Sequence, residues 1–311
     1  MTGRYLGVDL GSTTAKAVVT DQAGAILAAS TVQMGAVSQR GMQRAVDAAL
    51  QDAGVAADGL DGTVATGYGR RLVPGAARTY TEITCHARGT AAMCPGVRLV
   101  IDIGGQDSKA ITVDESGLVE DFAMNDRCAS GTGRFYEVLA RALECDLGEL
   151  ADLALRGSRD LEVSSMCATF AETEIVSLLA QGLPAADIAS SVHRAVAART
   201  LALVAQVGKR TPIVLTGGVA RNRAAVRFLA EALDLEVQVP AHPQITGAYG
   251  AALLAMESAA RSSGPLTSAR DADMAVPLFP GRAGSDRSCT DCDGAVASVV
   301  ELGPAIAVRP S

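Results

Sequence analysis

Gly7 to Gly24 reads GVDLGSTTAKAVVTDQAG, and Val100 to Gly117 reads VIDIGGQDSKAITVDESG. At one constant offset Asp9 meets Asp102, Gly11 meets Gly104, Lys16 meets Lys109, Ala17 meets Ala110, Asp21 meets Asp114 and Gly24 meets Gly117. Each copy has the pattern of a strand, a Gly-rich turn, a second strand and a turn at Asp-x-x-Gly. A hairpin written twice, in a chain of 311 residues, predicts two lobes with separate cores.

The chemistry of the turns suits a phosphate chain held between the copies. Glycine lets backbone amides come close to an anion, so Gly11, Gly104 and Gly105 are expected contacts, with Ser12, Thr13 and Thr14 adding hydroxyl donors. Asp9 and Asp102 each close a strand and suit Mg2+ held through water. Lys16 and Lys109 suit a phosphate, and solvated strand positions would explain them equally well. Phosphoryl transfer needs positioning more than covalent help, so Gln106 or Asp107 could orient an attacking water, with Asp9 and Asp102 as the other catalytic carboxylates.

Further along, IVLTGGVARN (Ile213 to Asn222) runs an apolar strand into Gly217, Gly218 and Val219 and then a helix, which suits close approach to a ring or ribose. In RCASGTGRFYEVLARALE (Arg127 to Glu144), Phe135, Val138, Leu139, Ala142 and Leu143 recur at helical spacing. Gly131, Thr132 and Gly133 then fall at a helix N-terminus, where free amides favour anions. His242 to Ala260 starts with a Pro turn and continues as an Ala-rich helix, with Gln244 placed for a cleft contact. His86, His193 and His242 are scattered and read as surface or capping residues.

A formal charge of -7 argues against a nucleic-acid partner, and no apolar run reaches membrane-spanning length. No signal-peptide pattern precedes the first strand, so a soluble cytoplasmic protein is expected. Trp is absent and aromatics are 3%, which leaves Val, Leu, Ile and Ala to build the core. Seven cysteines, an odd count, do not read as a disulfide framework. Cys85, Cys94 and Cys145 have no partner at ligand spacing and read as buried thiols.

The order of hairpin, second hairpin, Gly-rich turn with helix and Gly-Gly turn resembles the superfamily of actin, sugar kinases and the seventy-kilodalton chaperones. TGYGRRLV, TCHARGTAAMCP, VIDIGGQDSKAI, MNDRCASGTGRF, SSMCATFAETEIVS and LTGGVARN together resemble the activators of 2-hydroxyacyl-CoA dehydratases, a family shared with the ATPase subunits of benzoyl-CoA reductase. The resemblance covers about residues 4 to 257. It implies an α/β fold of two ribonuclease-H-like lobes with an ATP cleft between them. Residues 1 to 96 would form the first lobe, completed by a helix at about 246 to 260, and residues 97 to 245 the second.

The resemblance also implies ATP and ADP with Mg2+, and a homodimer sharing one 4Fe-4S cluster. By motif position the cluster ligands are Cys128 and Cys167, two thiols per chain, which make the four a cubane needs once a twofold axis doubles them. Both precede predicted helices, the second expected to start near Glu172, and a helix N-terminus favours thiolate. The implied partners are a 2-hydroxyacyl-CoA dehydratase or benzoyl-CoA reductase subunits, with ferredoxin or flavodoxin as electron source. Two other readings of the same fold are a small-molecule kinase and a non-redox ATPase switch. From Arg261 the composition turns to Ser, Gly, Pro and Asp, which reads as a mobile extension, and Cys289 and Cys292 form half a metal site within it.

Overall fold

The computed structural model describes residues 3–125, 129–161, 168–262, 297–299 and 306–308. The chain opens with an antiparallel meander, β1 (Arg4–Leu10), β2 (Thr14–Asp21) and β3 (Ile26–Gln33). Helix α1 (Gln39–Ala53), β4 (Gly62–Thr66), β5 (Arg78–Thr79) and α2 (Glu82–Met93) follow. A second meander, β6 (Leu99–Ile103), β7 (Ser108–Val113) and β8 (Val119–Asn125), leads to four helices, α3 (Gly133–Ala142), α4 (Leu147–Arg156), α5 (Ala168–Ala180) and α6 (Ala185–Val207). Then come β9 (Ile213–Thr216), α7 (Arg223–Leu233), β10 (Val237–Val239), α8 (Thr246–Ser262) and the short strands β11 (Ala297–Val299) and β12 (Ile306–Val308).

The strands form two sheets, β11-β3-β2-β1-β4-β5 and β12-β10-β9-β6-β7-β8. In each, the hairpin of the repeat is antiparallel, and its first strand runs parallel to the strand on its other side, β4 in one lobe and β9 in the other. The repeat is reproduced in detail. Asp9 pairs with Lys16 and Asp102 with Lys109, and the second hairpin strand has a register shift at Val19/Thr20 in one copy and at Thr112/Val113 in the other. Asp21 Oδ1 accepts from the amides of Ala23 and Ala25, as Asp114 Oδ1 does from Ser116 and Leu118. Those turns close at Gly24 (φ 79°) and Gly117 (φ 78°), a left-handed conformation open to glycine without strain.

Both faces of each sheet are covered, which is why β6 and β7 are buried at every position and β1 from Leu6 onward, rather than alternating between core and solvent. On the first sheet Leu6, Val8, Leu10, Ala15 and Ala17 pack with Met42, Ala45 and Ala49 of α1, while Val18 and Ala29 pack with Ala248 and Ala252 of α8. On the second, α3, α4, α6 and α7 cover one face, and Ile83 and Ala87 of α2 lie with Val100, Ile111 and Val214 on the other. Helices α2 and α8 therefore back onto different sheets, and they pack on each other. A Cβ on Gly89 would run into the Thr246 carbonyl, and one on Gly250 into the Cys85 carbonyl, so only glycine permits this approach.

Helix α8 runs two residues beyond the expected end, and α5 begins at Ala168, four residues before the expected start. In the extension from Arg261, β11 pairs with β3 and β12 with β10.

Candidate nucleotide cleft

A cleft of about 700 Å³ opens between the two sheets. The first hairpin lines it with Asp9, Gly11, Ser12, Thr13, Thr14 and Lys16, the second with Asp102, Gly104, Gly105, Asp107 and Lys109. Gly133, Gly217, Gly218, Val219 and Gln244 complete the expected set found there. Gln106 is exposed and outside the lining, and Gly131 and Thr132 are buried behind it. Cys128 and Cys167, and Cys289 and Cys292 of the extension, lie outside the described residues. Among the described residues no group of three or more His, Cys, Asp or Glu could hold a metal ion.

The two turns have the same closure. The Gly11 amide donates to the Thr14 carbonyl at 3.0 Å, and the Gly104 amide to the Asp107 carbonyl at 2.9 Å. They face one another closely enough that a Cβ on Gly105 would strike Thr13 Oγ1. At the strand end of β9, Gly217 is left-handed (φ 85°), its amide donates to the Pro243 carbonyl at 2.8 Å, and a Cβ there would strike the Ile103 carbonyl. The Gly-Gly signal in the sequence thus marks a backbone packed against β6 with Gly218 facing the cleft.

Charge is arranged differently in the two copies. Lys16 Nζ lies 3.0 Å from Asp9 Oδ2 with 16% of its side chain exposed. Lys109, 2% exposed, meets Asp107 at 2.9 Å, Asp102 at 3.3 Å and Glu82 at 3.4 Å. Burial works against the Lys109 charge, but Asp102, Glu82 and Asp107 outweigh it and hold the ammonium well above the ordinary lysine range. Burial also opposes the Asp102 charge. His86, Lys109 and the Thr216 hydroxyl, which donates at 2.8 Å, keep that carboxyl ionised below its usual range. Glu82 moves the other way, raised by burial against the pull of Lys109.

The start of α3 departs from the expectation. Its amides are not free: Gly133 donates to the Gly104 carbonyl at 2.8 Å and Arg134 to the Gly105 carbonyl at 2.9 Å, while Thr132 donates locally to the Ala129 carbonyl and Phe135 to the Thr132 carbonyl. The reading of Gly131 to Gly133 as an open anion cradle is corrected in this respect. The N-terminus of α3 is bolted to the second hairpin, and tertiary bonding has claimed the donors that a helix end otherwise presents.

The histidines are a second correction, since all three are buried. His193 stacks on Tyr136 at 4.6 Å between ring centroids, its Nδ1 meets the Ala189 carbonyl and its Nε2 meets Asn222, and burial lowers its pKa to about 4. His86 sits at the floor of the cleft, with Nδ1 3.0 Å from Thr246 Oγ1 and 3.3 Å from Asp102 Oδ1. It and Glu82 lie one turn apart on α2 and both line the cleft, as do Tyr136, Leu147 and Ala151 and the ion pair of Arg223 with Asp152. Burial pushes the Cys85 thiol up to about 12, in keeping with a packed core residue, and no disulfide joins Cys85, Cys94 or Cys145.

Two sheets of like topology, with paired hairpin turns facing across a cleft, define a protein of the actin and sugar kinase fold. A glucokinase from Streptomyces griseus solved with glucose and AMPPNP has that fold at 17% identity and a TM-score of 0.52, covering 82% of this chain and all of that one. More particularly, the chain belongs to the BadF/BadG/BcrA/BcrD ATPase family, whose profile matches residues 6–255. It is 45% identical over 254 residues to the activator of lactoyl-CoA dehydratase from Anaerotignum propionicum, spanning 82% of this chain and 98% of that one. The crystal structure of component A of (R)-2-hydroxyglutaryl-CoA dehydratase from Acidaminococcus fermentans superimposes with a TM-score of 0.79 at 40% identity, covering 83% of this chain and 99% of that one. A benzoyl-CoA reductase subunit from Thauera aromatica is 36% identical over 217 residues, 68% of this chain and 77% of that one.

Proposed function

We propose that this protein is the ATP-hydrolysing activator of a 2-hydroxyacyl-CoA dehydratase, acting in the cytoplasm as a homodimer of two-lobed subunits. The observation that carries the reading is the pair of hydrogen bonds from Gly133 and Arg134 to the turn Gly104–Gly105. They tie the phosphate-facing hairpin to α3, the helix that follows Cys128 in the sequence, so a change at the nucleotide is felt at the start of α3. Relatives named as activators span nearly their full length against this chain, which favours an activator over a benzoyl-CoA reductase subunit.

On this reading Lys16 and the hydroxyls of Ser12, Thr13 and Thr14 hold the phosphates, and Gly218 lets the nucleoside lie flat beside β9. Asp9, which gives one oxygen to Lys16, suits the water shell of Mg2+. Asp102 is less suited, because Thr216 and His86 take one of its oxygens and Lys109 the other. The donor set fits a shared 4Fe-4S cluster: Cys128 and Cys167 from each of two chains make four thiolates. Helix α3, a few residues after Cys128, packs against α5, which begins one residue after Cys167, and this supports a common site for the two thiols. When bound, the cluster supplies one-electron donation at low potential. The chain's own part is to hold nucleotide between the hairpins and pass its state to α3. Ligand binding biases such a conformational pair only through differential affinity.

The test is reconstitution under strict anaerobiosis with a lactoyl-CoA-type dehydratase and reduced ferredoxin or flavodoxin. Dehydratase activity should appear with ATP and Mg2+ and stay absent with a non-hydrolysable analogue. Equal activation by both nucleotides, or by neither, would remove the coupling.

A further inference from the structure

We propose that α6 carries the state of the nucleotide from the cleft to the segment that leads toward Cys167. His193 is the positioning residue at its cleft end, and Asp187 and Ser191 are those at its far end. The route rests on the reading of the chain as a nucleotide-driven activator, and it adds to α3, which follows Cys128, a second connection on the side of the other thiol.

At the cleft end the hydrogen bonds fix one another. Asn222 lines the cleft and caps α7, its Oδ1 accepting from the amides of Ala224 and Ala225, each at 3.0 Å. That settles which way the side-chain amide points, so Nδ2 is the atom 3.0 Å from His193 Nε2 and donates to it. His193 Nδ1 then carries the proton of the ring and donates to the Ala189 carbonyl at 2.7 Å, one turn back on α6. The same ring is fully buried and lies 4.6 Å from that of Tyr136, which lines the cleft from α3. One side chain thus clamps α6 to two cleft residues, on α3 and at the start of α7.

At the other end α6 holds backbone. Asp187 Oδ1 accepts from the amides of Ser158 at 2.9 Å and Arg159 at 3.1 Å. Ser191 Oγ accepts from the Leu161 amide at 2.8 Å and donates to the Asp187 carbonyl at 2.7 Å. Both side chains are buried, and a Cβ on Gly157 would strike Ser190 Oγ and the Ala186 carbonyl, so the segment lies directly on the helix. Leu161 stands six residues before Cys167 in the sequence. His193 lies about 9 Å from Asp187 along one continuous helix. A packed helix gripped at both ends moves as a unit, so a displacement of Asn222 or Tyr136 by nucleotide reaches the amides of Ser158 to Leu161.

Hydrogen exchange of the anaerobically purified protein, with ADP and with a non-hydrolysable ATP analogue, tests the route. The amides of Ser158, Arg159 and Leu161 should differ about fivefold or more in exchange rate between the two nucleotides. His193→Phe keeps a ring against Tyr136 and removes both hydrogen bonds. It should cut that difference below about twofold while nucleotide affinity stays within about threefold. Asp187→Ala should abolish the difference, and Asp187→Asn, which retains Oδ1, should restore it. Faster exchange across α6 with the nucleotide difference intact would show that His193 only fills the core, and would overturn the route. So would the absence of any difference in the unmodified protein, or an undiminished one in Asp187→Ala. Failure of the unmodified protein to bind nucleotide would instead overturn the reading beneath it.

Discussion

The two hairpins of the repeat share a backbone and differ in what their side chains face. In the first, Lys16 has a single carboxylate and partial access to solvent, and the turn carries three hydroxyls toward the cleft. In the second, Lys109 is enclosed by three carboxylates from β6, the turn and α2, while the carbonyls of Gly104 and Gly105 take the amides of α3. One copy leaves its groups facing the cleft, and the other has turned them inward to the protein. A duplicated fold can thus divide holding from transmitting without changing its strands.

Removing each lysine breaks that comparison most severely. Lys109→Ala leaves three carboxylates crowded at the cleft floor without the cation they share and should lower stability in urea by about 3–5 kcal/mol. Lys16→Ala, which removes a half-buried lysine from the single buried carboxylate of Asp9, should lower it by less, about 2 kcal/mol. Equal losses would show that the copies are not differentiated as described.

A second contrast is acid sensitivity, because His193 has no counterpart in the first lobe. Its folded pKa is depressed, so the unfolded chain takes up a proton more readily than the native one. The neutral ring's contribution is present above about 6.5 and declines as pH falls toward about 4, by up to about 3 kcal/mol. Hydrogen exchange between pH 7 and pH 4 should show α6 and α7 losing protection before α1, and His193→Gln should flatten the dependence.

The turns should separate by less. Gly105→Ala pushes a methyl at Thr13 across the cleft and should weaken nucleotide binding about tenfold, whereas Ser12→Ala, which removes one hydroxyl, should weaken it a few-fold. At the far turns the copies should agree: Asp21→Ala and Asp114→Ala each delete an acceptor for two amides and should cost about 1 kcal/mol alike in thermal unfolding.

The hairpins were legible because their information is local. Turn glycines and strand-end carboxylates recur at one offset, and backbone rules convert them into turns. The start of α3 was legible for the same reason, within a residue of Thr132. The fate of its amides was not, because their acceptors, Gly104 and Gly105, lie some thirty residues earlier in the sequence. His86 and Glu82 were missed on similar grounds. They reach the cleft only because α2 crosses α8 closely at Gly89 and Gly250, and TCHARGTAAMCP carries no sign of that crossing. Lys16 and Lys109 look alike in sequence, and only the packing of α2 against β6 and β7 distinguishes a half-buried lysine with one carboxylate from an enclosed one with three.

The central claim is that the hairpin bolted to α3 serves a cluster held by Cys128 and Cys167 of two subunits. Iron analysis of anaerobically purified protein beside Cys128→Ala and Cys167→Ala tests it most directly. The account predicts about four irons per dimer in the unmodified protein and loss of iron in both variants, with nucleotide binding retained. Iron retained in either variant, or none in the unmodified protein, would contradict it.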